Sequence, residues 1–128
     1  MTIYFGFAIA DGMFSDHAII CREGLSSEKA IAMISNGVTP CVNKFHTATI
    51  DAMQSRFGIN VSIPDTPPRV TLDGGDSIIV MSVRGLPRLT ESRHYTPQEI
   101  EKATFAFSSY RVSITGKPAL NCNGQCGI

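Results

Sequence analysis

The run Tyr4-Phe5-Gly6-Phe7-Ala8-Ile9-Ala10 is apolar or aromatic at every position except the glycine. A strand with water on one face alternates in polarity; one that is apolar at both parities needs cover on both faces. The run therefore predicts a central strand between two layers. A later run, Ile78-Ile79-Val80-Met81-Ser82-Val83, is long and rich in β-branched residues, and it predicts the centre of the same sheet. Two such strands need a substantial core. A chain of 128 residues, near the usual size of one domain, is long enough to build it.

Around these strands the punctuation is local. His17 to Cys21 predicts a short second strand. Ser26 can cap a helix whose apolar stripe is Ala30, Ile31, Met33 and Ile34, with Asn36-Gly37 as its stop. A second helix is predicted from about His46 to Phe57, with Ile50, Met53 and Phe57 at helical spacing and Gly58 beyond its end. Ile59, Val61 and Ile63 alternate with polar residues and predict a half-buried strand. Val70 and Leu72 face the later apolar run across Asp73-Gly74-Gly75-Asp76, which predicts a hairpin. Leu86 to Tyr95 has no periodicity and is expected as a loop. Thr96-Pro97-Gln98-Glu99 is a capping box that opens a short third helix ending near Ala103, followed by a last strand from Phe105 to Ile114. The fold class expected is α+β: a single domain over residues 1–115, a five- to six-stranded mixed sheet with three short helices, and a disordered tail at 116–128.

Charge narrows the function classes. Eleven basic residues balance eleven acidic ones, so the electrostatic footprint of a duplex nucleic-acid binder is missing. No apolar run reaches the roughly 18–20 residues of a membrane-spanning helix. The opening residues carry no basic region and read as a strand rather than a signal peptide, so a cytoplasmic protein is expected. Cys21 and Cys41 lie in apolar stretches and are expected as small core residues, while Cys122 and Cys126 sit in the tail without zinc-ligand spacing. No metal and no cofactor are expected.

Two places can carry chemistry. Arg84, Arg88, Arg93 and His94 fall within eleven residues with only Glu91 opposing them. Loops at strand ends concentrate binding residues, and the planar arginine fork matches phosphate oxygens. A solvated surface loop is the bland alternative. His46 opens a helix, where backbone N–H groups and the helix dipole favour an anion, and an imidazole there can move protons near neutral pH. A half-buried capping histidine is the alternative. Thr47 and Thr49 add hydroxyls in the first turn. No nucleophile elbow, phosphate-cradling glycine loop or dinucleotide fingerprint is present. Asp73 and Asp76 are better explained by turn chemistry than by paired-acid catalysis.

The order of these features resembles a known family. His46-Thr47-Ala48-Thr49 opens a helix ending at Gly58, an Ile/Val strand follows, Gly75-Asp76 precedes a hydrophobic strand, and then comes Arg88-Leu89-Thr90-Glu91. This resembles the viral ring nucleases, small type III anti-CRISPR proteins of archaeal viruses, phages and prophages, in which the matching stretches read G-H-x-[AS]-T, G-D or E-D, and R-L-x-E. The resemblance covers roughly Ile3 to Val112. It implies a nucleotide-binding domain with a mixed sheet, and a homodimer that binds a cyclic oligonucleotide second messenger across its interface. It also implies His46 as the general acid that cleaves cyclic tetra-adenylate without a metal, Arg88 beside a phosphate, and Glu91 in support.

The departures shift the expectation. The family's first strand usually ends N-A-F-S, with ligand-contacting Asn and Ser; here it reads Phe7-Ala8-Ile9-Ala10. The glycine before the histidine is Phe45, Ser82 stands where glutamine is common, and extra residues precede Arg88. Polar contacts have become apolar and aromatic, which suits stacking on a purine better than cleavage. The chain is also similar to phage proteins of the anti-Thoeris and anti-CBASS type. These sequester cyclic ADP-ribose isomers or cyclic di- and trinucleotides without cutting them. The first expectation is thus a phage or prophage anti-defence sponge working in the host cytoplasm as a homodimer or larger homo-oligomer, with Phe7, Ala10, Phe45, His46, Thr47, Arg84, Arg88, Thr90 and Arg93 on the ligand. A ring nuclease using His46 and Glu91 is the alternative, and a protein-interaction module the second.

Overall fold

The computed structural model describes residues 2–66, 69–86 and 95–113. They form an α+β domain with a five-stranded mixed sheet and three α-helices. In chain order the elements are β1 (Ile3–Gly6), β2 (Ile20–Leu25), α1 (Ser27–Ser35), β3 (Thr39–Pro40), α2 (Thr47–Phe57), β4 (Ser77–Arg84), α3 (Pro97–Lys102) and β5 (Thr104–Val112). The spatial order is β2-β5-β4-β1-β3. β1 is parallel to β3 and β4, whereas β5 is antiparallel to β4 and β2. Four strands therefore run one way and β5 alone runs back.

Alternation along the strands sorts the core into two layers. Phe5, Ile79, Met81 and Phe107 point to one face and pack with Ala30 and Ile34 of α1 and Ile50 and Met53 of α2. On the other face Tyr4, Ile78, Val80, Tyr110 and Val112 meet Met13, Phe14, Ala18, Val70 and Leu72. Among the described residues that second cover contains no α-helix. It is made of two chain segments joined by a parallel bridge between Phe14 and Leu72. β4 lies in the sheet centre with both faces covered, as its composition predicts.

The helix boundaries follow their local signals. Ser26 Oγ accepts the Lys29 N–H at the start of α1 (3.2 Å), and α2 stops at Gly58, which takes φ 72°. Thr96 and Glu99 exchange side-chain and backbone bonds at the start of α3 (2.8 and 3.2 Å).

Strand boundaries and partners differ from expectation in five places. β1 ends at Gly6 rather than Ala10, and Ala8, Ile9 and Ala10 are exposed. Its partner β3 is only two residues long and ends in a proline, which has no N–H to continue a ladder. Residues 59–63 are not a strand, although Ile59 and Val61 are buried; alternation reports a core-facing side, not a neighbouring strand. Asp73 to Asp76 does turn, with Asp76 N–H donating to the Asp73 carbonyl (2.9 Å). The arms beside it do not pair as a hairpin, because Leu72 bridges Phe14 and β4 pairs with β1 and β5. β2 starts three residues later than expected and ends four later, where it matches β5 residue by residue from Ile20↔Val112 to Leu25↔Phe107.

Cys21 is buried, as expected, and is also disulfide-bonded; among the described residues Cys41 is the free thiol. The tail, with Cys122 and Cys126, and most of the 86–95 loop lie outside the described residues.

Candidate functional site

Four parallel strands share one carboxyl edge, and open α/β sheets bind ligands outside that edge. Here β1 runs out into Phe7, β3 into Cys41 to His46, and β4 ends at Arg84. Of the residues singled out from the sequence, Phe7, Phe45 and His46 lie on these continuations and Arg84 ends β4.

The floor is a close β1–β3 joint. Cys41 N–H and Cys41 Sγ both donate to the Phe5 carbonyl, at 2.8 and 3.0 Å. A Cβ on Gly6 would sit 2.8 Å from Cys41 Sγ, so any side chain there must displace the thiol. Burial pushes the Cys41 thiol above its ordinary value, which keeps it protonated and unreactive.

Above this joint Asn43 organises a 3-10 turn at Lys44–His46. Its Oδ1 accepts the Phe45 N–H (2.9 Å), its carbonyl accepts the His46 N–H (3.0 Å), and its own N–H donates to His46 Nδ1 (3.1 Å). The His46 ring meets Phe7 edge-on, with centroids 4.7 Å apart and planes at 62°, and Phe7 in turn packs edge-on against Phe5 at 5.5 Å. Burial lowers the His46 pKa from its ordinary value, favouring the neutral ring. Thr47 Oγ1 donates to the Lys44 carbonyl (2.7 Å) and ties the turn to α2.

Phe45 is 96% exposed. A buried phenylalanine contributes roughly 1.5–3 kcal/mol, and this one forgoes nearly all of it. Its backbone is nonetheless pinned by Asn43, so the ring is presented from a fixed turn.

The sheet thus brings Phe7 and His46 into contact and sets Phe45 and Thr47 beside them in the chain. Ala10 is exposed three residues beyond Phe7, at the start of a 3-10 turn over Asp11–Met13. Arg84 is exposed at the end of β4, opposite Thr104 of β5. Arg88, Thr90, Glu91, Arg93 and His94 lie outside the described residues. His46 closes the 3-10 turn and directly precedes α2, so its position at a helix start is as expected. Asn43 escaped the sequence reading. An Asn three residues before a His at a helix start is a capping spacing, and that spacing was the available signal.

A cavity of about 130 Å³ beside β2, lined in part by the Lys29–Glu23 ion pair (3.2 Å), holds none of these residues. It is smaller than the several hundred cubic ångströms usual for a small-molecule pocket. Among the described residues no group of three or more His, Cys, Asp or Glu side chains is placed to hold a metal ion, and no helix is long and apolar enough to cross a membrane.

No family model matches the chain, and no curated protein matches it. Among solved structures, the chain is similar to B116 of Sulfolobus turreted icosahedral virus, with a TM-score of 0.63 at 15% identity, over 87% of this chain and 99% of that one. At that identity the likeness establishes a shared fold.

Proposed function

We propose that this protein is a viral accessory protein that binds and sequesters cyclic nucleotide immune signals without cleaving them. The viral setting rests on the fold shared with B116 of Sulfolobus turreted icosahedral virus and on the ring-nuclease-like motif order. The observation that carries the binding role is Phe45, almost wholly exposed on a turn anchored beside the Phe7–His46 pair. Base–aromatic stacking contributes about 1–3 kcal/mol per base, and an exposed ring on a fixed turn is the surface it needs. Holding rather than cutting is supported by His46. Its Nδ1 accepts a backbone N–H, and burial lowers its pKa, so an imidazolium able to protonate a leaving group is disfavoured at neutral pH.

In this reading the protein acts as a homodimer or larger homo-oligomer, and Arg88 and Arg93 contact phosphates of the ligand. Replacing either arginine by alanine then weakens binding by roughly 1.5–3 kcal/mol, the range for a charge-assisted bond.

The deciding experiment incubates the protein with a panel of cyclic di- and trinucleotides, cyclic tetra-adenylate and cyclic ADP-ribose isomers. The retained ligand is then released by heat and chromatographed. Intact ligand supports sequestration. Linear fragments that vanish with His46→Ala establish a ring nuclease instead, and retention of nothing leaves the interaction-module reading.

A further inference from the structure

We infer that His46 reads the purine base itself: its Nε2–H donates to N7 of a base stacked on Phe45, and Asn43 is the positioning residue that sets up this donor. The inference rests on the nucleotide-binding reading above and specifies which part of the ligand the turn recognises.

A backbone N–H is always a donor, so the Asn43 N–H at 3.1 Å makes Nδ1 an acceptor. The neutral ring then carries its proton on Nε2. Phe7 occupies one side of the imidazole edge-on, and Nε2 is the polar ring atom with no hydrogen-bond partner among the described residues. An anionic partner would favour a second ring proton, yet Nδ1 cannot take one while it accepts from Asn43. A neutral ring with one N–H is matched by an uncharged acceptor as well as by an anion, and the neighbouring Phe45 favours an acceptor on a base.

Phe45 says where that acceptor lies. Asn43 holds Phe45 and His46 at once, through Oδ1 and through its backbone N–H, so a stacking face and a hydrogen-bond donor are presented from one rigid turn. N7 is an acceptor that adenine and guanine share and that pyrimidines lack. A turn built this way suits either purine, whose larger face also stacks better than a pyrimidine's, without distinguishing the two.

Two measurements test this. In the free protein, long-range 15N correlation spectra of His46 at neutral pH are expected to show the Nε2–H tautomer. Asn43→Ala keeps the backbone N–H but removes the Oδ1 bond that fixes the turn, so it should shift the tautomer towards the mixture of an unrestrained histidine, and Asn43→Ser, which keeps a capping oxygen, should restore it. A wild-type ring protonated on Nδ1, or one unmoved by Asn43→Ala, overturns the positioning role whatever the protein binds.

Calorimetry then compares cyclic di-AMP and cyclic ADP-ribose with their 7-deaza counterparts. Wild type is expected to bind at least one parent about tenfold or more tighter than its 7-deaza form, and His46→Ala to bind the two alike. Equal binding of parent and 7-deaza forms by wild type overturns the N7 contact but leaves sequestration standing. Failure to bind any of the four probes overturns the N7 contact, while the sequestration reading is decided by the full ligand panel above.

Discussion

Phe45 and Gly6 carry opposite kinds of information about single residues. Phe45 touches almost nothing, so Phe45→Ala should change thermal stability by no more than about 0.5 kcal/mol. If it is the stacking platform, the same change should weaken nucleotide binding by about 1–3 kcal/mol in calorimetry. Unchanged affinity would remove the stack from the proposal. Gly6 touches Cys41 so closely that one added methyl must push the thiol aside. The thiol cannot swing aside without losing its bond to the Phe5 carbonyl, so Gly6→Ala should destabilise the fold by roughly 1–3 kcal/mol. Adding Cys41→Ala should recover most of that loss in urea titrations. A neutral Gly6→Ala single variant would contradict the close β1–β3 joint.

At the scale of elements, the turn before β4 acts as a clamp on the start of β1. Asp76 accepts the Thr2 N–H through Oδ1 (2.8 Å) and the Asp73 N–H through Oδ2 (3.0 Å). These bonds, the one from Thr2 first, hold its carboxyl below the ordinary value of 3.8. The folded pKa is lowered, so the stabilisation is present in full above the unfolded value and is lost as pH falls through the folded one. Asp76→Ala should cost about 1 kcal/mol at pH 7, after allowing for solvent around the carboxylate. The gap between wild type and variant should narrow as the pH drops below 3.8. Urea midpoints at pH 7 and at pH 3 measure it, and a gap of equal size at both would show that the carboxylate bonds are not its source.

For the whole molecule, the covered sheet accounts for the two core clusters, yet Ile9 and Phe45 remain large exposed apolar residues near the carboxyl edge. The proposed shared pocket requires assembly, so light scattering at micromolar concentration should give at least twice the 13.8 kDa chain mass. A monomer there would count against a ligand held between copies.

What the sequence determined by itself was local. Ser26, Gly58 and the Thr96–Glu99 box mark helix ends through bonds spanning three or four residues, so α1, α2 and α3 were legible from neighbouring letters alone. The parity of β4 was legible too, because burial on both faces leaves its mark in the unbroken apolar run from Ile78 to Met81. His46 and Phe7 were legible as candidates by residue type and by motif order. Pairing was not, since a strand's partner lies far along the chain. Only the folded molecule decided that β1 stops at Gly6, that Ile59 and Val61 are buried without a ladder, and that Leu72 bridges Phe14 rather than β4. The same holds for the site. Folding set Phe7 against His46 across 39 residues of chain, because β1 and β3 lie side by side and their carboxyl ends emerge together. Hydrophobic pattern records which face is covered, while the identity of the neighbour is a property of the tertiary packing.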